Sequence, residues 1–355
     1  MGRRLDAEDI EAALIAGLFL SAGGSGRGAA ERNRAQGRMA LEGGGVDFVD
    51  LDELDPEDLI ITATAVGAPG FAKPVVSPTD SIDCARRLIA LLGRPIAGVI
   101  CGHVPGFNAW MVAAVLRLNY VDAASNGRGH PTVKMGGMGL ASQPRAHITQ
   151  VGLGGAEADG SRLAVVAEGN IVRTSNVMRQ TAVVNGGLIM AARGPLSAGF
   201  IKQNGAPGAI SFQIALGRAM LRQRGPERIQ ATTSFLRGEL LCIGEVTSNT
   251  VAYVGGFDLG KLVVSGPRGE IVLGVYNEYM TADLDGRRIA TFPDMIGTLD
   301  PRTGDPVAIS ELPAGSEAAV IVAHRSKFPV GKGALDPAVF PEVEEAIGAD
   351  LRSYL

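Results

Sequence analysis

Apolar positions in the first 150 residues alternate between two spacings, and each switch marks a change of element. Ile10, Ala13, Leu14, Gly17 and Leu18 recur at helical intervals after Asp6, a residue suited to cap a helix N-terminus, and Glu8 and Asp9 complement the dipole. The pattern breaks at 22–28, Ala-Gly-Gly-Ser-Gly-Arg-Gly, ahead of a second helical stretch over 29–41. Strands are predicted at 46–49, 59–65, 97–101 and from Tyr120, with helices at 81–92 and 108–118. Strands alternating with helices imply a parallel or mixed sheet covered by helices.

Beyond about residue 145 the texture changes. Runs at 163–167, 171–172 and 181–184 read as strands, and 208–222 reads as a helix. From 231 onward short β runs follow at 240–246, 261–264, 271–276 and 289–291, separated by Gly, Pro-Arg-Gly and the hairpin signal Asp285-Gly286. The expected class is α/β, an N-terminal mixed or parallel sheet with helices plus a β-rich C-terminal domain. Its expected segments are an α/β domain with the glycine loop over 1–150, an α/β continuation over 151–230 and the β-rich domain over 231–355.

Composition narrows this picture. A chain of 355 residues fits roughly two domains, and 46% hydrophobic with 20% charged residues is ordinary for a soluble protein. Forty-nine glycines embedded among aliphatic residues point to tight turns and close backbone contacts rather than disorder. The net charge of −4, without a Lys/Arg run, argues against nucleic acid as a partner. Acids stand early, where a secretory signal needs its apolar stretch, and the run 14–20 is too short to span a bilayer, so no membrane association is expected. Three cysteines without paired spacing fit a reducing compartment, which makes the cytoplasm the expected location. A small-molecule substrate and self-association into a homo-oligomer complete the expected partners.

Three polar groupings are candidates for chemistry. Gly24, Ser25 and Gly26 precede a helix, where bare N–H groups hold an anion or a developing oxyanion; the competing reading is a plain helix–helix turn. A dinucleotide role is disfavoured because a helix, not a strand, precedes the glycines. The densest grouping is Cys101, His103, Asn108, Asp122, Asn126, Arg128 and His130, whose members follow predicted strands and so point to one crevice at the strands' carboxyl ends. They form a proton-transfer set or, if a divalent metal such as zinc takes part, a ligand set of Cys101, His103, Asp122 and His130, although Cys-x-His alone has no familiar metal spacing. The competing reading makes Cys101 a buried small hydrophobe and Asp122–Arg128 a structural ion pair. The third grouping, Asn277-Glu278 with Asp294 sixteen residues after Glu278, offers two acids for general acid/base work or simply two turns. Ser211 lies outside any nucleophile-elbow motif.

These features, in this order, resemble the S-methyl thiohydantoin desulfurase-like family along nearly the whole chain. The resemblance rests on the Asp-Ala-Glu-Asp-Ile helix running into the glycine loop, the 45–69 stretch ending Val66-Gly-Ala-Pro69, and Gly127-Arg128-Gly129-His130-Pro131 with Met135. It rests further on Arg237-Gly238, Asn277-Glu278 and Phe292-Pro293-Asp294. Where the family carries a Glu-Ile-Gly-Gly segment, this chain has His103-Val-Pro-Gly106, and where it carries Asp-Ala-Asp-Gly-Met-Gly-Arg, this chain has Asp122-Ala-Ala-Ser-Asn-Gly-Arg128.

The resemblance implies a hydrolase acting on a small cyclic amide, a hydantoin or S-methyl thiohydantoin-like ring, at a C–N or C–S bond. Asn108, Asp122, Arg128, Asn277, Glu278 and Asp294 carry over to it. In that reading His103 or a carboxylate activates water, and Arg128 with the N–H groups near Gly24 to Gly26 steadies the oxyanion. Asp122 orients His103 or His130, Asn108 and Asn277 hold the ring, and Glu278 is the second proton carrier. The alternative is a non-catalytic ligand-binding partner subunit of a hydantoinase- or oxoprolinase-type enzyme, since a retired site is free to lose its acids.

Overall fold

The computed structural model describes residues 2–25, 27–68 and 75–355; Gly26 of the glycine loop and Pro69 lie outside them. Among the described residues the strands form two sheets. The first holds β1 (Arg3–Arg4), β2 (Asp47–Val49), β3 (Leu59–Gly67), β4 (Gly98–His103), β5 (Asn119–Asn126), β6 (Ile148–Gly154), β7 (Leu163–Gly169) and β8 (Leu188–Ser197). Their order is β1-β2-β5-β4-β3-β8-β6-β7, and β9 (Ala206–Pro207) pairs with β5. Strands β2, β5, β4 and β3 are parallel, whereas β8, β6 and β7 continue antiparallel, which makes the sheet mixed.

Helices α1 (Ala7–Leu20), α2 (Arg27–Glu42), α3 (Asp80–Leu92) and α4 (Phe107–Leu116) follow the expected order. Asp6 caps α1 by accepting from Glu8 N and Asp9 N while Asp9 reaches back to Asp6 N, a reciprocal cap that contributes about 1 kcal/mol. Fully buried Phe107, Trp110 and Tyr120 sit at the centre of the core on this side, their rings 5.0 and 6.0 Å apart.

One segment departs from expectation. Residues 171–172 and 181–184, read as strands, belong to the helix α5 (Ile171–Val184). Asn170 caps it by accepting from Arg173 N, and its buried positions, Ile171, Thr174, Ser175, Met178, Arg179 and Ala182, have helical spacing. Local β-branched runs favour strand, but a helical apolar face against the sheet prevails. Helices α6 (Ala198–Asn204), α7 (Ala209–Leu221) and α8 (Gly225–Phe235) follow. Thus a helix still occupies 231–235, where the β runs were expected to begin.

The second sheet comprises β10 (Glu239–Asn249), β11 (Ala252–Val254), β12 (Phe257–Gly266), β13 (Gly269–Tyr276), β14 (Glu278–Leu284), β15 (Arg287–Thr291), β16 (Met295–Leu299) and β17 (Glu317–Ala323). It is antiparallel in the order β15-β14-β13-β12-β10-β17-β16, with β11 beside β12, and a last helix, α9 (Pro341–Ile347), follows it. Asp285 and Gly286 adopt φ of 48° and 79° between β14 and β15, the left-handed pair a two-residue hairpin requires. The sheet curls, so that Tyr279 on β14 meets Thr298 on β16 at 3.1 Å between hydroxyls. No helix among the described residues is long and apolar enough to cross a membrane.

The two sheets are stitched through main-chain atoms around the first glycine loop. Gly129 N donates to Leu20 O, Tyr279 N to Ala22 O and Ile309 N to Gly23 O, at 2.9, 2.9 and 3.1 Å. This stitching brings β14 of the second sheet against the carboxyl ends of β3 and β4.

Candidate functional site

A cleft of about 420 Å³ opens at those carboxyl ends, and both sheets line it. Its floor and walls come from the end of β3 (Thr64, Ala65, Gly67), the β4–α4 turn (His103 and Pro105 to Asn108), the glycine loop (Gly24, Ser25), α2 and Glu278. Parallel strands whose ends face outward deliver polar side chains to such a crevice without stranding them in the core.

His103, the last residue of β4, places its Nδ1 2.7 Å from its neighbour Val104 O. A carbonyl only accepts, so the proton sits on Nδ1 and Nε2 carries the lone pair. Burial, with Arg193 and Arg128 nearby, holds the ring below the usual histidine pKa, so it is neutral at pH 7. His130 sits behind it, ring to ring at 5.2 Å and edge-on. Its Nδ1 faces Thr132 O at 2.9 Å, and its buried Nε2 finds no partner in good hydrogen-bond geometry.

Glu278 begins β14. Asn277 before it takes a left-handed φ of 61°, tolerable for asparagine, and reverses the chain so sharply that Tyr276 and Glu278 pair with each other. Asn277 is thus the turn between the two strands, and Glu278 opens β14. Its side chain lies in a slot between two glycines, because a Cβ on Gly24 would come within 3.0 Å of its Oε1 and one on Gly129 within 3.1 Å of its Cγ. Oε2 has no hydrogen-bond partner. Burial pushes its pKa up to about 8 against the opposing pull of Arg128 and Arg179, so the group is mostly a neutral acid at pH 7.

The glycine loop contributes differently from expectation. Gly24 N–H is already engaged with Ser21 O at 3.0 Å, so it is not an oxyanion donor; its missing side chain is what matters, since that makes room for Glu278. Asn108, in the first turn of α4, faces the cleft with Oδ1 held by Ala109 N, leaving Nδ2 for a ligand.

The other candidates lie outside the cleft lining. Asp122 Oδ1 accepts from Ile210 N and Ser211 N at 3.0 Å each and so caps α7; it makes no ion pair with Arg128. His103 is registered opposite Asn126, four residues further along β5 than Asp122, a separation of roughly 13 Å that removes Asp122 from the histidines. Arg128 donates to Gly129 O, Tyr279 O and Asp294 O and lies over the Phe292 ring. Asn126 bridges Arg128 O and Gly331 N, and Asn277 accepts from Asp258 N. Asp294 takes the Arg325 and Thr291 N–H groups.

The expected metal set does not assemble either. Cys101 is fully buried with its thiol pushed up to about 12 by burial, Asp122 is committed to α7, and no group of three His, Cys, Asp or Glu among the described residues is arranged to hold a metal.

Sequence reasoning missed the opposite wall. Arg32, Asn33 and Gln36 of α2 line the cleft, and Gln36 is only 3% exposed with an unpartnered Nε2. The signal was their i, i+1, i+4 spacing, which on a helix reads equally well as a solvated face.

Comparisons with known proteins agree with this architecture. Residues 8–157 match the family model described as S-Me-THD-like, N-terminal domain, and residues 169–336 match S-Me-THD-like, C-terminal domain. A crystal structure of a protein from Chromobacterium violaceum is similar at a TM-score of 0.73 with 22% identity, covering 98% of this chain and 96% of that one, and shows the same fold. No curated protein matches the chain.

Proposed function

The chain belongs to the S-Me-THD-like family, and from that premise we propose that it is a hydrolase of a small cyclic amide, a hydantoin or S-methyl thiohydantoin-like ring. One observation carries the reading: a neutral imidazole whose proton sits on Nδ1 and a neutral carboxylic acid line the same cleft. That is an unoccupied base and a loaded acid at one pH, the division of labour acid/base hydrolysis needs.

His103 Nε2 takes a proton from water as the oxygen attacks the electrophilic ring carbon. The resulting tetrahedral centre collapses by expelling a ring nitrogen or, from an S-methyl ring, the methylthio group. Glu278 gives its proton to that leaving group, forming N–H or methanethiol, and the proton on His103 passes through solvent to restore Glu278. Asn108 Nδ2 holds the ring's carbonyl edge, and Gln36 Nε2 provides a second donor across the cleft. Cys84, Cys101 and Cys242, all buried and free, support the reducing cytoplasm as the place of action.

The test is a turnover screen of the purified protein on hydantoin, 2-methylthio-hydantoin and simple lactams, read by chromatography and thiol release. Hydrolysis lost in His103→Ala and Glu278→Gln supports the reading. Tight binding without turnover would favour a ligand-binding partner subunit instead.

A further inference from the structure

Three arginines are buried beneath the cleft floor with no carboxylate partner among the described residues. Arg128 gives its donors to three main-chain carbonyls. Arg179 donates to Gly256 O and Pro131 O at 3.1 and 2.7 Å and lies over the Phe257 ring. Arg193 donates to Gly136 O and Ser125 Oγ at 2.7 and 3.1 Å.

All three adjoin the working groups. Arg128 Nη2 binds the carbonyl of Tyr279, the residue after Glu278, and Arg179 binds that of Pro131, the residue after His130. A Cβ on Gly136 would touch both Arg193 Nη2 and His130 Nε2, at 2.8 and 2.7 Å, which places that guanidinium behind the histidine pair. Arg32 adds a fourth cation at the exposed cleft wall. The acids nearby are Glu278, mostly protonated at neutral pH, Asp258 close to it, Asp294 beside Arg128, Glu342, which is paired with Lys134, and Glu311 at the cleft, whose carboxylate takes the Ala308 N–H. His103 and His130 are neutral. Among the described residues the four guanidiniums still outnumber the ionised acids that lack another cation, and buried charge without a counter-ion is costly even when main-chain dipoles surround it.

We propose that the cleft completes its charge balance with a ligand carboxylate, the group that opening a cyclic amide creates, and so binds the ring-opened product more tightly than the closed ring. This rests on the cyclic-amide reading above and selects one branch of it. Ring opening adds water's oxygen to the carbonyl carbon, breaks the C–N bond, places one proton on nitrogen and releases the other from the new acid to solvent. Expulsion of methanethiol from an S-methyl ring leaves a neutral ring and no new anion.

Calorimetry with unsubstituted hydantoin and its opened form, N-carbamoylglycine, tests this. The opened acid is expected to bind at least tenfold more tightly at pH 7 and low salt, with the gap shrinking as ionic strength rises. Arg32→Gln should weaken the acid about tenfold and leave hydantoin unchanged, and Arg193→Lys, which keeps the charge, should retain the gap. Equal or weaker binding of the acid, with hydantoin still turned over, overturns the inference and leaves the hydrolase reading standing. Failure of both compounds to bind overturns both.

Discussion

Two sets of polar residues near the junction of the two sheets have opposite characters. Asp122, Asn126, Arg128 and Asp294 direct their polar atoms to main-chain N–H and C=O groups, as helix cap, clasp and rivet. His103 and Glu278 line a cleft, where Glu278 Oε2 has no hydrogen-bond partner and the proton of His103 sits on Nδ1, leaving the Nε2 lone pair as its base. A saturated polar group has finished its work once the chain is folded; one left bare beside a cavity carries a desolvation cost that folding alone does not explain. The contrast separates architecture from chemistry where residue type cannot.

The sharpest way to break this contrast is Glu278→Gln, which removes the acid and keeps the volume. Turnover should fall by roughly 10²- to 10⁴-fold, the range for losing a general acid, with an unchanged far-ultraviolet circular dichroism spectrum. The wild-type profile of kcat/KM against pH should lose activity above about 8, where Glu278 ionises, and at acid pH below the usual histidine range, where His103 protonates. Stability should follow the same group. The folded state raises this carboxyl from 4.5 to about 8, so it binds more protons than the unfolded chain between those values, and stability should decline as pH climbs through that window. In Glu278→Gln the decline should flatten in urea titrations. A variant that keeps its turnover and its alkaline limb would remove Glu278 from the chemistry.

Arg128→Met should act on the other side of the comparison. Three carbonyls lose a charged donor in a buried site, and the expected cost is about 3 kcal/mol or more of stability by urea denaturation. Asp122→Ala should cost less, about 1 kcal/mol, by uncapping α7, with kcat preserved. A fall in kcat for Asp122→Ala that outruns its loss of stability would move Asp122 into the working group.

Much of this arrangement is legible in the residues. The Asp6 cap, the alternating strands and helices of the first 126 residues and the Asp285-Gly286 hairpin follow from local rules that tertiary packing leaves intact. The segment 171–184 does not, because its β-branched runs and its helical burial pattern disagree and only the packing partner decides. At the site, His103 and Glu278 stand out as polar residues near strand ends. Nothing local distinguishes them from Asp122, whose carboxylate is claimed by a helix eighty-eight residues downstream. Gln36 was invisible for the converse reason, since a helix face shows its burial only when something is packed near it.

The stitches at Leu20, Ala22 and Gly23 use only the carbonyl of the loop and the amide of its partner. Every residue type has the first, and all but proline have the second. Apart from Gly129, the junction that delivers Glu278 to the cleft is thus written in no particular letter of the sequence. Side chains at 20, 22, 279 and 309 can change without unpicking it, within the limits of the space around them, whereas 129 stays glycine because a Cβ there would meet Ser21 O at 2.5 Å. Proline at 129, 279 or 309 is the replacement these three bonds exclude, since its nitrogen has no hydrogen to give. Two relatives can thus share few residues across this junction and still assemble the same cleft.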